Sequence, residues 1–518
     1  MGWNENPSTQ AHPPIAVEDA THNTSFADIF NDVDPWSFMD LAGDAEFELQ
    51  TPPDFSQPTG FQPIDMAGLV RPSQNSLDPD AVDAETQQTG QANDGNFQYV
   101  EIGIAEQEPL RHYLNNMTKF CKMEQSQQES MYTAIFSTLA LSHQQLFQAM
   151  LAWSSLHLAQ LRSLSLSDAE ERFSRAMQLL KSDEEAFEHL EVTLTTIWFL
   201  LQYQCLLADG VDIFCDLLDH ATELLRQLFD DYSKDDAIAR LGPVGTRVMV
   251  WMTAYDARAA SVGKAGRLLG CLRTCPYLNH LIEHSITAGM GTTLKGMPHR
   301  TSVTSRSSAY AGSLQLAVRL RMVLGQVKLL HRRGTTDEDY RGWAAVETSL
   351  RALMAEIDDK SNLEAQAARG VAEGSTSLLP EVSSDGYNQM MLLATLYVAI
   401  ILYQSFRPTM GMLVVEDFLP ARDCALRAIR LMNRISAARP DSPQSVWPHL
   451  IFIAALACED PVYQSWCIRT LLNAEVWGEN LRKTRALLET MINMQNRTGH
   501  QTVDYAAVME TNSGLFIL

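Results

Sequence analysis

The residues with the most chemical promise are His280-Leu-Ile-Glu283-His284. On a helix, two histidines four residues apart point the same way and can grip zinc, with Glu283 placed as the base. The H-x-x-E-H order is that of the inverzincin metalloproteases. Cys271 and Cys275 lie just upstream and would extend a ligand list. The competing reading of LRTCPYLNHLIEHS is an amphipathic helix that starts after Pro276. It turns Leu278, Leu281 and Ile282 inward and leaves the histidines at its edge. A short motif without structural context matches by chance often, so we assign no metal and no cofactor, and keep His280, Glu283 and His284 as weak metal candidates.

A second candidate is Asp230-Asp231-Tyr-Ser-Lys-Asp235-Asp236. Carboxylates at this spacing can hold hard cations, and in a helical protein they suggest the magnesium–diphosphate site of a terpene cyclase. The complementary Asn/Asp, Ser/Thr, Glu set is not found elsewhere, and a solvated interhelical turn accounts for the cluster. His157, in WSSLHLAQL, lies on an apolar face and reads as a core residue. No Gly-rich phosphate loop, G-x-S-x-G elbow or CxxC pair occurs. We therefore expect a protein that is not an enzyme. An all-α metal-dependent enzyme, or a protein-binding scaffold, are the alternatives.

The elements around these residues read as helices. Leu146, Met150, Trp153 and His157 recur at helical spacing. So do Phe214, Leu217, Leu218, Ala221, Leu224, Leu225 and Leu228, with Asp212 as the expected N-cap. Leu316, Leu320, Val323, Val327 and Leu330 form another stripe, and Trp343, Val346, Leu350, Leu353 and Ile357 a fourth. Each run lasts only a few turns, which predicts an all-α, multi-helical array of about a dozen or more helices rather than a coiled coil. The array should span residues 105–518, with long Gly/Ser/Thr-rich loops near 287–313 and 368–387. The longest apolar run, Met390–Tyr403, is too short to cross a bilayer and predicts a buried core helix. Eight cysteines lie between Cys121 and Cys467. The first residues lack the pattern of a secretory signal, so these are expected to be reduced core thiols.

Charge divides the chain. Its 518 residues carry 39 Lys+Arg and 63 Asp+Glu, a net of −24. Residues 1–100 hold 17 acids and a single base, Arg71. That region, rich in Pro, Asp, Gln, Asn, Ser and Thr, buries too little apolar surface to offset chain entropy and should be disordered. Within it, residues 26–49 (FADIFNDVDPWSFMDLAGDAEFEL) interleave acids with Phe26, Phe30, Trp36, Phe38 and Phe47. This is the composition of an activation segment, in which acids keep aromatics solvated until they dock in a partner groove. The longest basic cluster is His331-Arg332-Arg333, so no direct sequence-specific DNA binding is expected.

Three stretches, in order, resemble the fungal-specific transcription factor domain: LFQAMLAWSSLHLAQL (146–161), VMVWMTAYDARAASVGKAGRLLGCLRTCPYL (248–278) and SVWPHLIFIAALACEDPVYQSWCIRTLLNAEVWGENLRKTRALLE (445–489). Members of that family are fungal nuclear regulators, often of secondary-metabolite or nutrient pathways, with a helical regulatory body. The resemblance implies a nuclear regulator or co-regulator. Its partners would be the transcription machinery or a DNA-bound regulator, and no membrane. Most such regulators carry six cysteines as C-x2-C-x6-C, twice. Here no cysteine precedes Cys121. The departure fits a regulator that lost the cluster, a chain that starts downstream of it, or one that acts through a DNA-bound partner.

Overall fold

The structure is a computed structural model. It describes residues 100, 102–120, 131–183, 185–263, 266–288, 303–333, 337–371, 384–408, 418–439, 442–498 and 504–518. The acidic segment with Phe26, Phe30, Trp36, Phe38 and Phe47 lies outside the described residues, as does Cys121.

Among the described residues the chain forms seventeen α-helices and no strands. They are α1 (Ile104–Asn115), α2 (Met131–Thr138), α3 (Gln144–Arg162), α4 (Ser167–Ser182), α5 (Leu190–Leu207), α6 (Asp212–Asp231), α7 (Lys234–Ser261), α8 (Arg267–Thr274) and α9 (Leu278–Ala288). Then follow α10 (Val303–Arg333), α11 (Asp337–Val371), α12 (Ser384–Phe406), α13 (Ala421–Ala438), α14 (Pro448–Ala457), α15 (Pro461–Asn473), α16 (Glu479–Thr498) and α17 (Tyr505–Asn512). The all-α expectation holds.

Local chemistry sets the helix starts. Ser233 caps α7 and accepts from the Asp236 amide, with Asp235 and Asp236 in the first, positive turn. Asp460 and Asp504 cap α15 and α17 in the same way, and Pro448 and Pro461 occupy first-turn positions that need no amide donor. Asp212 is the first residue of α6 rather than its cap, which is Val211. The seven apolar residues expected on the α6 face are all buried.

Two expected loops are shorter than composition suggested. The helix α10 begins at Val303, inside the 287–313 break, and α11 and α12 extend into the 368–387 break from either side. Ser and Gly content lowers helix propensity by only a fraction of a kcal/mol per residue, and burial of Leu314, Leu316 and Ala317 downstream outweighs it.

Two helices, α5 and the Gly386–Phe406 part of α12, are long and apolar enough to cross a membrane, yet most of each is buried within the body. Helices apolar on most faces suit burial on several sides. Packing around them closes on itself. Helix α5 packs on α7, α7 on α10, α10 on α12, α12 on α14, α14 on α16, and α16 returns to α5. Six helices thus form a ring, and α3 packs on α5 from outside that sequence.

Candidate functional site

The ring lines a partly open cavity of about 170 Å³, and each of its six helices contributes lining residues. One wall is aromatic. Trp198 of α5 sits 5.3 Å from Trp251 and 5.2 Å from Tyr255, both on α7, measured between ring centroids. Tyr132 bridges Trp251 and Trp153 at 5.7 and 5.5 Å. The Tyr255 hydroxyl donates to Gln202 Oε1 at 2.8 Å. The indole N–H groups of Trp198 and Trp251 have no acceptor among the described residues. A buried donor left without an acceptor costs on the order of 1–3 kcal/mol, so this wall holds unused hydrogen-bonding capacity.

Another part of the lining is basic. Ala317, Arg321, Leu324 and Lys328 recur at 4, 3, 4 along α10 and form one stripe facing the cavity. Arg321 Nη1 donates to the Val250 carbonyl at 2.7 Å and to Thr253 Oγ1 at 3.1 Å. Lys328 donates to the Tyr505 hydroxyl and lies over the Phe406 and Tyr505 rings at 4.7 and 4.6 Å. Arg258 of α7 joins them and donates to the Leu518 backbone oxygen at 2.8 Å. His449, at the start of α14, completes the group; its Nε2 has no partner among the described residues.

No carboxylate lines the cavity among the described residues. Among the described residues neither Arg321 nor Lys328 has an Asp or Glu within 4 Å, whereas Arg258 is held by the Leu518 oxygen. The electrostatic consequence is large. Burial, reinforced by Arg332, pulls Lys328 down to about 7. Burial and the nearby Arg258 bring Arg321 down to about 10. Burial, then Lys328 and Arg258, hold His449 at about 3, so its imidazole is neutral. Arg258 thus bears on both Arg321 and His449, and Lys328 on His449, while Asp504 works against the drop at Lys328.

Three local devices fix the geometry. Gly242 breaks α7 with φ +63°, and the Glu191 carboxylate caps the helix that restarts there, accepting from the Val244 amide at 2.7 Å. A Cβ at Gly242 would meet that carboxylate at 2.3–2.6 Å. The cap aims the run from Trp251 to Arg258 at the cavity. On the other side of α7, Asp256 accepts from the Leu269 amide at 2.8 Å and anchors α8. Burial raises its carboxyl to about 7. Finally, Arg258 ties α7 to the segment after α17.

The motif residues chosen for spacing lie elsewhere. His280 and Glu283 are exposed on α9, 3.9 Å apart, with side chains 59% and 56% accessible. Glu283 accepts from Gln315. Among the described residues no group of three or more His, Cys, Asp or Glu is placed to hold a metal. Burial pushes the Cys271 thiol up to about 11, away from the thiolate a metal needs. Asp230, Asp231, Asp235 and Asp236 are all exposed around the α7 cap. His157 is buried, as its apolar setting suggested, and pairs with His112 at 2.8 Å. None of the seven described cysteines is in a disulfide.

Sequence spacing missed Arg258, Arg321 and Lys328. The signal lay in α10: two bases seven residues apart, each flanked by apolar neighbours on both sides. Two helical turns bring such residues to one face.

Residues 108–251 match the family described as the fungal specific transcription factor domain. The match contains the first resembling stretch, 146–161, and reaches the start of the second. No curated protein and no solved structure is significantly similar to the chain. Of the residues around the aromatic wall, Phe120, Tyr132, Trp153, Trp198, Gln202 and Trp251 fall inside the matched segment, and Tyr255 lies just beyond it. The basic wall lies beyond it. All three resembling stretches nonetheless meet at this cavity, through Trp153, through Trp251, Tyr255 and Arg258, and through Val446–Leu450, Trp477, Asn480 and Leu481.

Proposed function

We propose that the chain is a transcriptional regulator that works in the nucleus through protein partners, and that its helical body is the part that responds rather than one that catalyses. The match of residues 108–251 to a transcription factor domain carries this reading. Convergence of three separate stretches of the chain on one cavity supports a responsive body, because residues from all six ring helices line it. The acidic aromatic segment, with Phe26, Phe30, Trp36, Phe38 and Phe47, supplies the partner contact: its acids keep these rings in water until a groove on the transcription machinery or on a DNA-bound regulator takes them.

Two experiments test this. RNA sequencing of a deletion strain should show a coherent set of altered transcripts; an unchanged transcriptome sinks the regulator. Fusing residues 1–100 to a heterologous DNA-binding domain should activate a reporter, and replacing the five aromatics with Ala should silence it. A fusion that never activates removes the activation role.

A further inference from the structure

The cavity has a chemistry that its surroundings do not complete. Three bases line it, and no Asp or Glu does among the described residues. Every one of these groups donates and none accepts. Buried cations are ordinarily paired, so a missing acceptor of negative charge is what the wall asks for. Trp198 and Trp251 also line it, and aromatic lining suits a flat apolar body. Size narrows the choice. A cavity of about 170 Å³ is close to the roughly 150 Å³ apolar cavity that holds one benzene ring, and is below the range of extended, drug-sized ligands.

We infer that the cavity binds a small organic anion: a single-ring aromatic body carrying one carboxylate, with the ring against Trp198 and Trp251 and the acid group among Arg258, Arg321 and Lys328. Bidentate guanidinium contacts fit a carboxylate better than they fit a neutral carbonyl. This deepens the reading of the helical body as the responsive part, and its biological meaning rests on that reading. Binding itself does not.

Lys328 makes the inference sensitive to pH. On its own helix it faces Arg332 and His331. From other elements it faces Asp504, Tyr505, Phe406 and His449. Asp504 is committed to capping α17. In the empty cavity Lys328 gives up its proton near neutrality. A bound carboxylate favours the ammonium form, so binding takes up a proton wherever the free lysine is neutral. Affinity should therefore weaken by about tenfold between pH 6 and pH 8.5, while an aromatic carboxylate stays ionised throughout.

The test uses the purified full chain with benzoate and phenylacetate, each against its own amide. Calorimetry and tryptophan fluorescence read binding, and thermal melting reads stabilisation. At least one acid should bind about tenfold or more tightly than its amide, since hydrogen bonds to charged groups carry most of the difference. Lys328→Met should flatten the pH profile and bring acid and amide to within about threefold, with the amide still binding as proof of an intact cavity. Arg321→Met should reduce the preference for the acid in the same way. Amides that bind as tightly as their acids, a preference unchanged in both variants, or no binding by any probe at about 10 mM to folded wild-type protein would overturn the inference. The regulator reading would survive that result, because transcript changes decide it separately.

Discussion

Two groups of buried ionisable side chains share this helical body, and the protein treats them in opposite ways. His112 and His157 lie on α1 and α3. His112 Nε2 and His157 Nδ1 are 2.8 Å apart, and Asn116 Nδ2 reaches His112 Nδ1 at 3.1 Å. One tautomer satisfies both contacts: Asn116 donates to His112, and His112 donates to His157. Trp477 stacks parallel to His157 at 5.8 Å, and Phe120 meets it edge-on. Burial brings His112 to about 3 and His157 to about 4, so both rings are neutral at physiological pH. Arg258, Arg321 and Lys328 are instead bases gathered at a cavity that no Asp or Glu lines among the described residues. The contrast separates two uses of burial. A pair that is neutral and bonded holds helices together; a cluster that is charged and uncompensated costs stability, and is retained where it has a partner to meet.

The largest effect should come from breaking the pair. His157→Ala removes a stacked ring and strands the His112 donor, which should destabilise the protein by about 3 kcal/mol in urea melts. Acid should act in the same direction. The folded-state values of both histidines lie below the unfolded value of 6.5. Unfolded chains therefore take up protons that the native state refuses, and stability drops as pH falls below about 6.5. A His157→Ala protein as stable as wild type would mean the pair is not structural.

Asp256 sharpens the contrast, because it is the acid that could have joined the cluster and does not. It lies two residues from Arg258 yet faces α8. Its carboxyl is raised to about 7, so the native state holds a proton that the unfolded chain loses near 4, and stability is lost as pH climbs through that window. Asn keeps an oxygen for the Leu269 amide and cannot ionise. The advantage of Asp256→Asn over wild type should grow by about 2 kcal/mol between pH 5 and pH 8. A constant difference across that range would place Asp256 in an ion pair instead.

Removing a charge from the cluster should work the other way from removing a member of the pair. At pH 6, Lys328→Met replaces a buried ammonium with an apolar chain of similar length. It should raise the stability of the empty protein by about 1–2 kcal/mol, net of the lost contacts to Tyr505 and Phe406. A loss of stability would show that those ring contacts already compensate the charge, and the two groups would no longer differ in kind.

How much of this could be read beforehand follows the same divide. The stripe Leu316, Leu320, Val323, Val327 and Leu330 is buried as its spacing required, and so is the α6 face. Periodicity reports which face of one helix meets protein. It does not report which other helix it meets. Arg321 and Lys328 sit one position along from two members of that stripe, and the cluster exists only because α10 packs beside α7, where Arg258 waits. The resembling stretches were recognisable separately, while their convergence on one cavity is a property of the ring. Cation clusters also lack a signature of fixed spacing, whereas H-x-x-E-H has one and drew attention to a surface.

That surface gives the smallest predicted effect. His280 and Glu283 satisfy the metal spacing and stand more than half exposed on α9. An exposed His–Glu pair at 3.9 Å contributes little, because water screens it and two mobile side chains must be ordered to make it. His280→Ala and Glu283→Ala should each change stability by no more than about 0.5 kcal/mol. Added zinc should leave the melting temperature of wild type and both variants alike. A zinc-dependent rise in wild type that either substitution abolished would have the opposite meaning: two side chains in water would be holding a metal with ligands the geometry does not supply, and α9 rather than the ring would be where this body binds.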